Sequence, residues 1–293
     1  MKHRPSTAGV ATSALLAELA ISVWTGRKLD KSASQDIVRM NSADRGVANV
    51  HKKLLGDCEE LEAVRKFASV VRTTHYSITM PWSDSGLRLL PTANYFKYQE
   101  AMTGYAAEFD RLVQIFLDAY EWETSQAQVK LGALFNPDDY PTVAALRHKF
   151  GMSVSYIPLP TSGDWRVDIE EQAKDELEAH YQRYYEEQIG KAMGDVWSRT
   201  KDVLERLSDR LADEADGKPK VFRSTLVDSA MEIVDLLDTC NLTGDRTMTH
   251  VAEQLRETLH GIGADDLRQD RALRRSTKRN VDELIQALPG LGM

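Results

Sequence analysis

The chain has 293 residues, 42% of them apolar and 28% charged, an ordinary globular composition that excludes wholesale disorder, collagen and a disulfide scaffold. Its formal net charge of −8 argues against a surface that wraps duplex DNA throughout, because phosphate contact needs a basic face. It argues equally against docking on anionic membranes. Nucleic-acid binding, if it exists, must be local.

The N-terminus is basic at Lys2, His3 and Arg4, and an Ala/Leu-rich run follows as far as Trp24. This imitates a secretory signal. Glu18 interrupts the run, and Leu15, Leu16, Leu19 and Val23 mark one face of an amphipathic helix instead. No segment has the roughly 18 uninterrupted apolar residues of a membrane helix. A second helix is expected over Ser34–Leu55, weak at Gly46 and stopped at Gly56. A third carries Leu61, Val64, Phe67, Ala68, Val71 and His75 at three- and four-residue steps, with Asp57, Glu59, Glu60 and Glu62 near its positive end.

The pattern breaks at Ile78. Thr79–Pro91 holds two prolines and a Ser83-Asp84-Ser85-Gly86 turn, and reads as an irregular loop or short hairpin. It is either a connector whose Trp82 plugs a core, the preferred reading, or a binding loop presenting Trp82 and Arg88. After Asn94 comes the strongest periodicity of the chain. Tyr95, Tyr98, Met102, Tyr105, Phe109, Leu112 and Phe116 alternate steps of three and four, the seam of a coiled-coil-like helix that should run to Leu134. Asn136–Pro141 then stops it, with Asp138 and Asp139 as caps rather than metal ligands.

Residues 151–169 carry the one convincing β signal. Met152–Pro158 and Trp165–Ile169 both alternate, with a turn at Thr161–Asp164. Such a hairpin must pack on helices or join the Thr79–Leu90 segment in a small sheet. From Glu170 to about Ala215 the spacing is helical, long enough to span roughly 65 Å unless it bends at Gly190 or Gly194. Helices around Leu226–Leu237, Met248–Leu259 and Val281–Leu288 complete the chain. The expected architecture is mainly α: an elongated helical bundle with long coiled-coil-like helices and a small β-hairpin insertion. Its regions would be an N-terminal helical part (1–150), the insertion (151–169) and a long helix with a C-terminal helical part (170–293).

No phosphate loop, HExxH, GxSxG or zinc-finger spacing occurs, and the seven histidines are scattered. No catalytic residue, cofactor or metal is therefore expected. Cys58 and Cys240 read as buried thiols of a cytoplasmic protein. The main charge feature is Arg268, Arg271, Arg274, Arg275, Lys278 and Arg279, within which 268, 271, 275 and 278 share a face in a continuous helical frame. Such a stripe suits phosphate contact or a solvated face paired with acids. Glu170, Glu171, Asp175, Glu176 and Glu178 form an opposite, acidic stretch. Trp82, Tyr156, Trp165 and the Tyr181, Tyr184, Tyr185 cluster offer rings on which bases could stack.

Several segments together resemble an uncharacterised domain family of tailed phages and mobile elements. They are Ile21–Asp30, His75-Tyr76, Met80-Pro81-Trp82, Arg88–Tyr95, Phe135–Pro141 and Gly163–Val167. The resemblance covers most of the chain and brings no catalytic residues. It implies neighbours among MoxR-type AAA+ ATPases and recombination genes. The resulting expectation is a non-enzymatic, homo-oligomeric accessory of phage or mobile-element DNA metabolism that touches single-stranded DNA through the Arg268–Arg279 segment. The alternatives are an adaptor of such an ATPase, contacting it through Trp82, Arg88 and Trp165, and a virion or assembly component.

Overall fold

In the computed structural model, which describes residues 10, 12–44, 46–159, 171–212 and 225–289, the first long segment is a strand rather than a helix. Strand β1 spans Ala14–Ser22 and pairs antiparallel with β5 (Arg88–Pro91) in the register Leu16↔Leu89 and Ala14↔Pro91. The apolar run from Leu15 to Val23 satisfies a helical stripe and a strand face equally well. What decides is β5, which supplies backbone partners from more than 70 residues away. A second expectation is revised in the same way. Instead of one helix over Ser34–Leu55 there is a helix α1 (Lys31–Met40) and a strand β3 (Val50–Lys53), separated at Gly46, whose φ of 91° few side-chain-bearing residues adopt. Strand β2 (Arg27–Asp30) pairs with β3, and Ser34 Oγ accepts from the Val50 amide at 2.9 Å. Asp30 caps α1 by accepting from the Ala33 amide at 2.9 Å.

The remaining elements follow the expected order. Helix α2 spans Glu59–Ile78 and buries Leu61, Val64, Ala68, Val71 and His75. A hairpin of β4 (Met80–Pro81) and β5 follows, then the 37-residue helix α3 (Tyr95–Leu131). A 3-10 turn at Gly132–Leu134 ends α3 three residues before the expected stop. The short α4 (Val143–Arg147) and strand β6 (Gly151–Pro158) come next. The larger sheet has the order β4-β5-β1-β6, so β6 joins the sheet of the Thr79–Pro91 hairpin as anticipated. The second strand of the expected insertion, the turn before it and Trp165 lie outside the described residues. Helix α5 (Glu171–Leu211) is a single 41-residue helix, about 60 Å long. Then come α6 (Thr225–Cys240), α7 (Arg246–Leu259), α8 (Ala264–Gln269) and α9 (Arg271–Ala287).

The chain divides into two compact units, each built from separated stretches of sequence. One comprises 1–18, 76–98 and 155–293; the other comprises 19–75 and 99–154. In the first, α5 packs against α6, α9 and β4, and α7 packs against α6 and α9. Leu204, Leu207, Val234, Leu237, Val251, Leu255 and Val281 fill its interior. The second is built on aromatic rings. Phe116 of α3 has the Trp24, Tyr120 and Phe150 rings at 6.1, 5.9 and 5.5 Å, and shares its core with Leu61, Val64 and Ala68 of α2. Trp24 reaches that core because Gly26 turns the chain at φ 57°. A Cβ at Gly26 would stand 3.0 Å from Leu61 Cδ2.

Asn136–Pro141 serves the second unit as a set of ties. Asn136 caps its turn by accepting from the Asp138 amide at 3.0 Å, and Tyr140 Oη donates to Leu54 O at 2.6 Å. Asp139 takes no part in capping. Its side chain is 5% exposed and binds Lys28 Nζ and Lys52 Nζ, both at 2.7 Å. Burial alone would push this carboxyl up, but the two ammonium groups outweigh it and hold it below the usual aspartate range.

Candidate functional site

The basic segment near the C-terminus is reshaped by one residue. Asp270 adopts φ −102° and ψ 105°, ends α8 and caps α9, its Oδ1 accepting from Ala272 and Leu273 amides at 2.8 and 3.0 Å. The helical frame that would align Arg268 with Arg271, Arg275 and Lys278 is therefore broken. Arg268 stays on α8, where Nη1 binds Asp265 at 2.5 Å. Arg274 turns inward. It is 4% exposed, because 274, 277, 281 and 284 fall on the stripe of α9 that faces the core. Its Nη1 donates to Leu267 O at 3.5 Å. Lys278 ties α9 to α5, with Nζ 2.5 Å from Asp282 Oδ2 and 3.2 Å from Ser208 Oγ. On α9, Arg271, Arg275 and Arg279 face solvent. Four-residue steps place their Cα atoms about 6 Å apart along one ridge of α9.

The Thr79–Pro91 hairpin has become structural. Trp82 is 5% exposed, edge-on to Tyr185 at 5.4 Å. It is the core plug of the preferred reading and leaves no indole for a partner. Arg88 is partly buried, with Nε donating to Thr79 Oγ1 at 2.7 Å, Nη2 to Thr79 O at 3.0 Å, and its guanidinium 4.8 Å from the Tyr76 ring centre. Arg199 of α5 converges on the same turn, donating to Ser77 O at 3.0 Å and Thr79 O at 2.9 Å while pairing with Asp195 at 2.6 Å. Burial first, and then the nearby Arg199 charge, lower the Arg88 pKa. Two guanidinium groups thus satisfy carbonyls at the negative end of α2.

Sequence reasoning missed this pair. Asp195 and Arg199 signal a helical ion pair, but nothing local announces carbonyl partners 120 residues earlier. Arg199 also lines a groove of about 650 Å³ between the end of α2, the start of α3, α5 and α6. Lys97 and Arg206 oppose Asp202, Glu232 and Asp235 there. Such a balanced wall does not select a polyanion.

Of the rings offered for stacking, Trp82 and Tyr185 are buried, whereas Tyr184 and Tyr156 are 36% and 37% exposed. Tyr156 already stacks edge-on against Tyr95 at 5.4 Å. In the acidic stretch, Asp175, Glu176 and Glu178 are exposed on α5, Glu170 lies outside the described residues, and the Glu171 side chain is not described. Both cysteines are free and buried as expected, and burial pushes each thiol up to about 11. Neither is poised as a thiolate nucleophile at neutral pH. No described helix is long and apolar enough to cross a membrane. No family model, no curated protein and no solved structure matches this chain, so its functional reading rests on these residues alone.

Proposed function

We propose that this protein is a non-enzymatic, oligomeric accessory of phage or mobile-element DNA metabolism that binds single-stranded DNA. The observation that carries the reading is the ridge of Arg271, Arg275 and Arg279, exposed along α9 of a chain that is otherwise acidic. A local cationic ridge is what an acidic protein needs to engage phosphates without coating itself in charge. Arg274 belongs to the interior and takes no part.

A labelled single-stranded oligonucleotide titrated at several salt concentrations tests it. Binding should weaken with salt. The R271Q/R275Q/R279Q variant should bind far more weakly, with its logarithmic salt slope shallower by about 2, from about 0.7 per phosphate contact. Absence of salt-sensitive binding in the parent protein, or an unchanged slope in the variant, would sink the reading.

Oligomerisation has its own support on α3. Ile115, Trp122 and Val129 are 42%, 63% and 82% exposed and recur every seven residues, on the side away from the aromatic core. That spacing lines the three up as an exposed apolar stripe along one side of α3 that another chain could cover. Trp122→Glu is expected to lower the mass measured by light scattering without changing helicity. An identical mass for both proteins would remove α3 as the contact.

A second reading, partner of a MoxR-type AAA+ ATPase, is favoured by the groove beside Arg199, whose alternating charges suit a polypeptide. Retention of the ATPase on the immobilised protein, lost on Arg206→Glu, would distinguish it from DNA binding.

A further inference from the structure

We propose that Cys58, Glu60 and Glu123 form a three-ligand site for a zinc-class divalent cation. Cys58 and Glu60 lie at the start of α2, and Glu123 comes from α3. One ligand atom from each residue can be chosen so that all three lie within 4.8 Å of one another, the one such grouping among the described residues. Cys58 Sγ stands 3.5 Å from Glu60 Oε2. A tetrahedral zinc ion, with Zn–S about 2.3 Å and Zn–O about 2.1 Å, spaces its ligand atoms roughly 3.5 Å apart. The thiol and Glu60 already have that spacing, and Glu123, within 4.8 Å of both, is near enough to complete the set by a small side-chain adjustment.

The second observation is the state of Glu123. Its residue is 5% exposed, and its Oε2 is buried without a hydrogen-bond partner. Lys130 Nζ lies 3.6 Å from that oxygen, an ion-pair distance beyond hydrogen-bonding reach. A buried carboxylate oxygen left in this condition is costly, and a directly bonded cation removes the cost. The positive end of α2 opposes a cation, but Glu59, Glu60 and Glu62 in its first turn offset that end. Cys58 also lines an indentation of about 600 Å³ open to solvent, which provides an entry path.

A thiolate with two carboxylates selects zinc over magnesium or calcium, which prefer all-oxygen sets. On binding, Zn²⁺ takes the thiolate, and the thiol proton leaves to solvent. Three protein ligands leave a fourth position for water.

The test is titration of the full chain with Zn²⁺ by calorimetry, and with Co²⁺ followed by absorption. One ion per chain is expected, with a thiolate-to-cobalt charge-transfer band. Glu123→Gln should weaken Zn²⁺ binding by about tenfold or more. Cys58→Ser should do the same and abolish the band. Lys130→Gln removes the competing ammonium from an exposed side chain, and should tighten binding several-fold in a protein that folds normally. Absence of Zn²⁺ binding in both the parent and Lys130→Gln proteins overturns the proposal. So does binding that Glu123→Gln and Cys58→Ser leave unchanged. DNA binding is not involved in this readout, so the two proposals fail independently.

Discussion

Replacing Phe116 by alanine is expected to destabilise the unit formed by 19–75 and 99–154 by about 4 kcal/mol. The ring is fully buried, and three aromatic neighbours surround it within 6.1 Å. Removing it deletes apolar burial and leaves a cavity that three stiff rings cannot close by rotation. Val70→Ala, at a position of α2 in the same unit that is 51% exposed, should cost under about 1 kcal/mol. Urea denaturation followed by tryptophan fluorescence would measure both, with Trp24 against the Phe116 ring as the local reporter. Similar costs for the two substitutions would show that the ring is not anchored as described.

Replacing Asp139 by asparagine should cost about 3 kcal/mol at neutral pH. It leaves Lys28 and Lys52 without their shared carboxylate, and Lys52, 9% exposed, is then held by Asp30 at 3.7 Å and Leu134 O at 2.7 Å. The pH dependence follows from the lowered pKa of Asp139 in the folded protein. A carboxyl whose folded value lies below its unfolded value of about 3.9 stabilises fully above that unfolded value. The contribution is lost as pH falls through the folded value. The stability gap between parent and Asp139→Asn proteins should therefore be widest near neutrality and shrink below about pH 4. A gap that stays constant down to pH 2 would mean that the ion pairs contribute nothing.

Helices whose burial repeats at three and four residues were legible from their letters. Leu61, Val64, Ala68, Val71 and His75 of α2 are such a case, as is the Tyr95–Phe116 seam of α3, whose residues are all buried or partly buried. The same holds for the helical spacing of α5, though not for its running unbroken past Gly190 and Gly194, and for the order of the C-terminal helices. The motifs behind the family resemblance were legible as patterns but not as roles. Trp24, Trp82, Asp139 and Tyr140 are a core ring, a core plug, an ion-pair hub and a tyrosine bound to a backbone carbonyl. Each packs or pairs within its own unit, and none lies on the proposed DNA-binding ridge.

The candidate sites were less legible. Arg271, Arg275 and Arg279 stood out by charge, yet whether Arg274 joined them depended on which stripe of α9 met α5 and α7. Asp270 could be read as an ordinary surface acid until its capping geometry split α8 from α9. Glu123 was one acid among many on a long helix; only proximity to Cys58 and burial of its carboxylate make it a ligand candidate.

Periodicity and turn residues alone placed α2, α3, α5 and the C-terminal helices, because a helix satisfies its own backbone within four residues and reports its buried face in its spacing. The tertiary structure decided the rest. Ala14–Ser22 became a strand because a strand needs a backbone partner, and β5 was its partner. Arg88, Asp139 and Glu123 acquired their roles from charges and carbonyls that folding brought near. Electrostatic environment depends on distance in space, which local spacing along the chain does not encode.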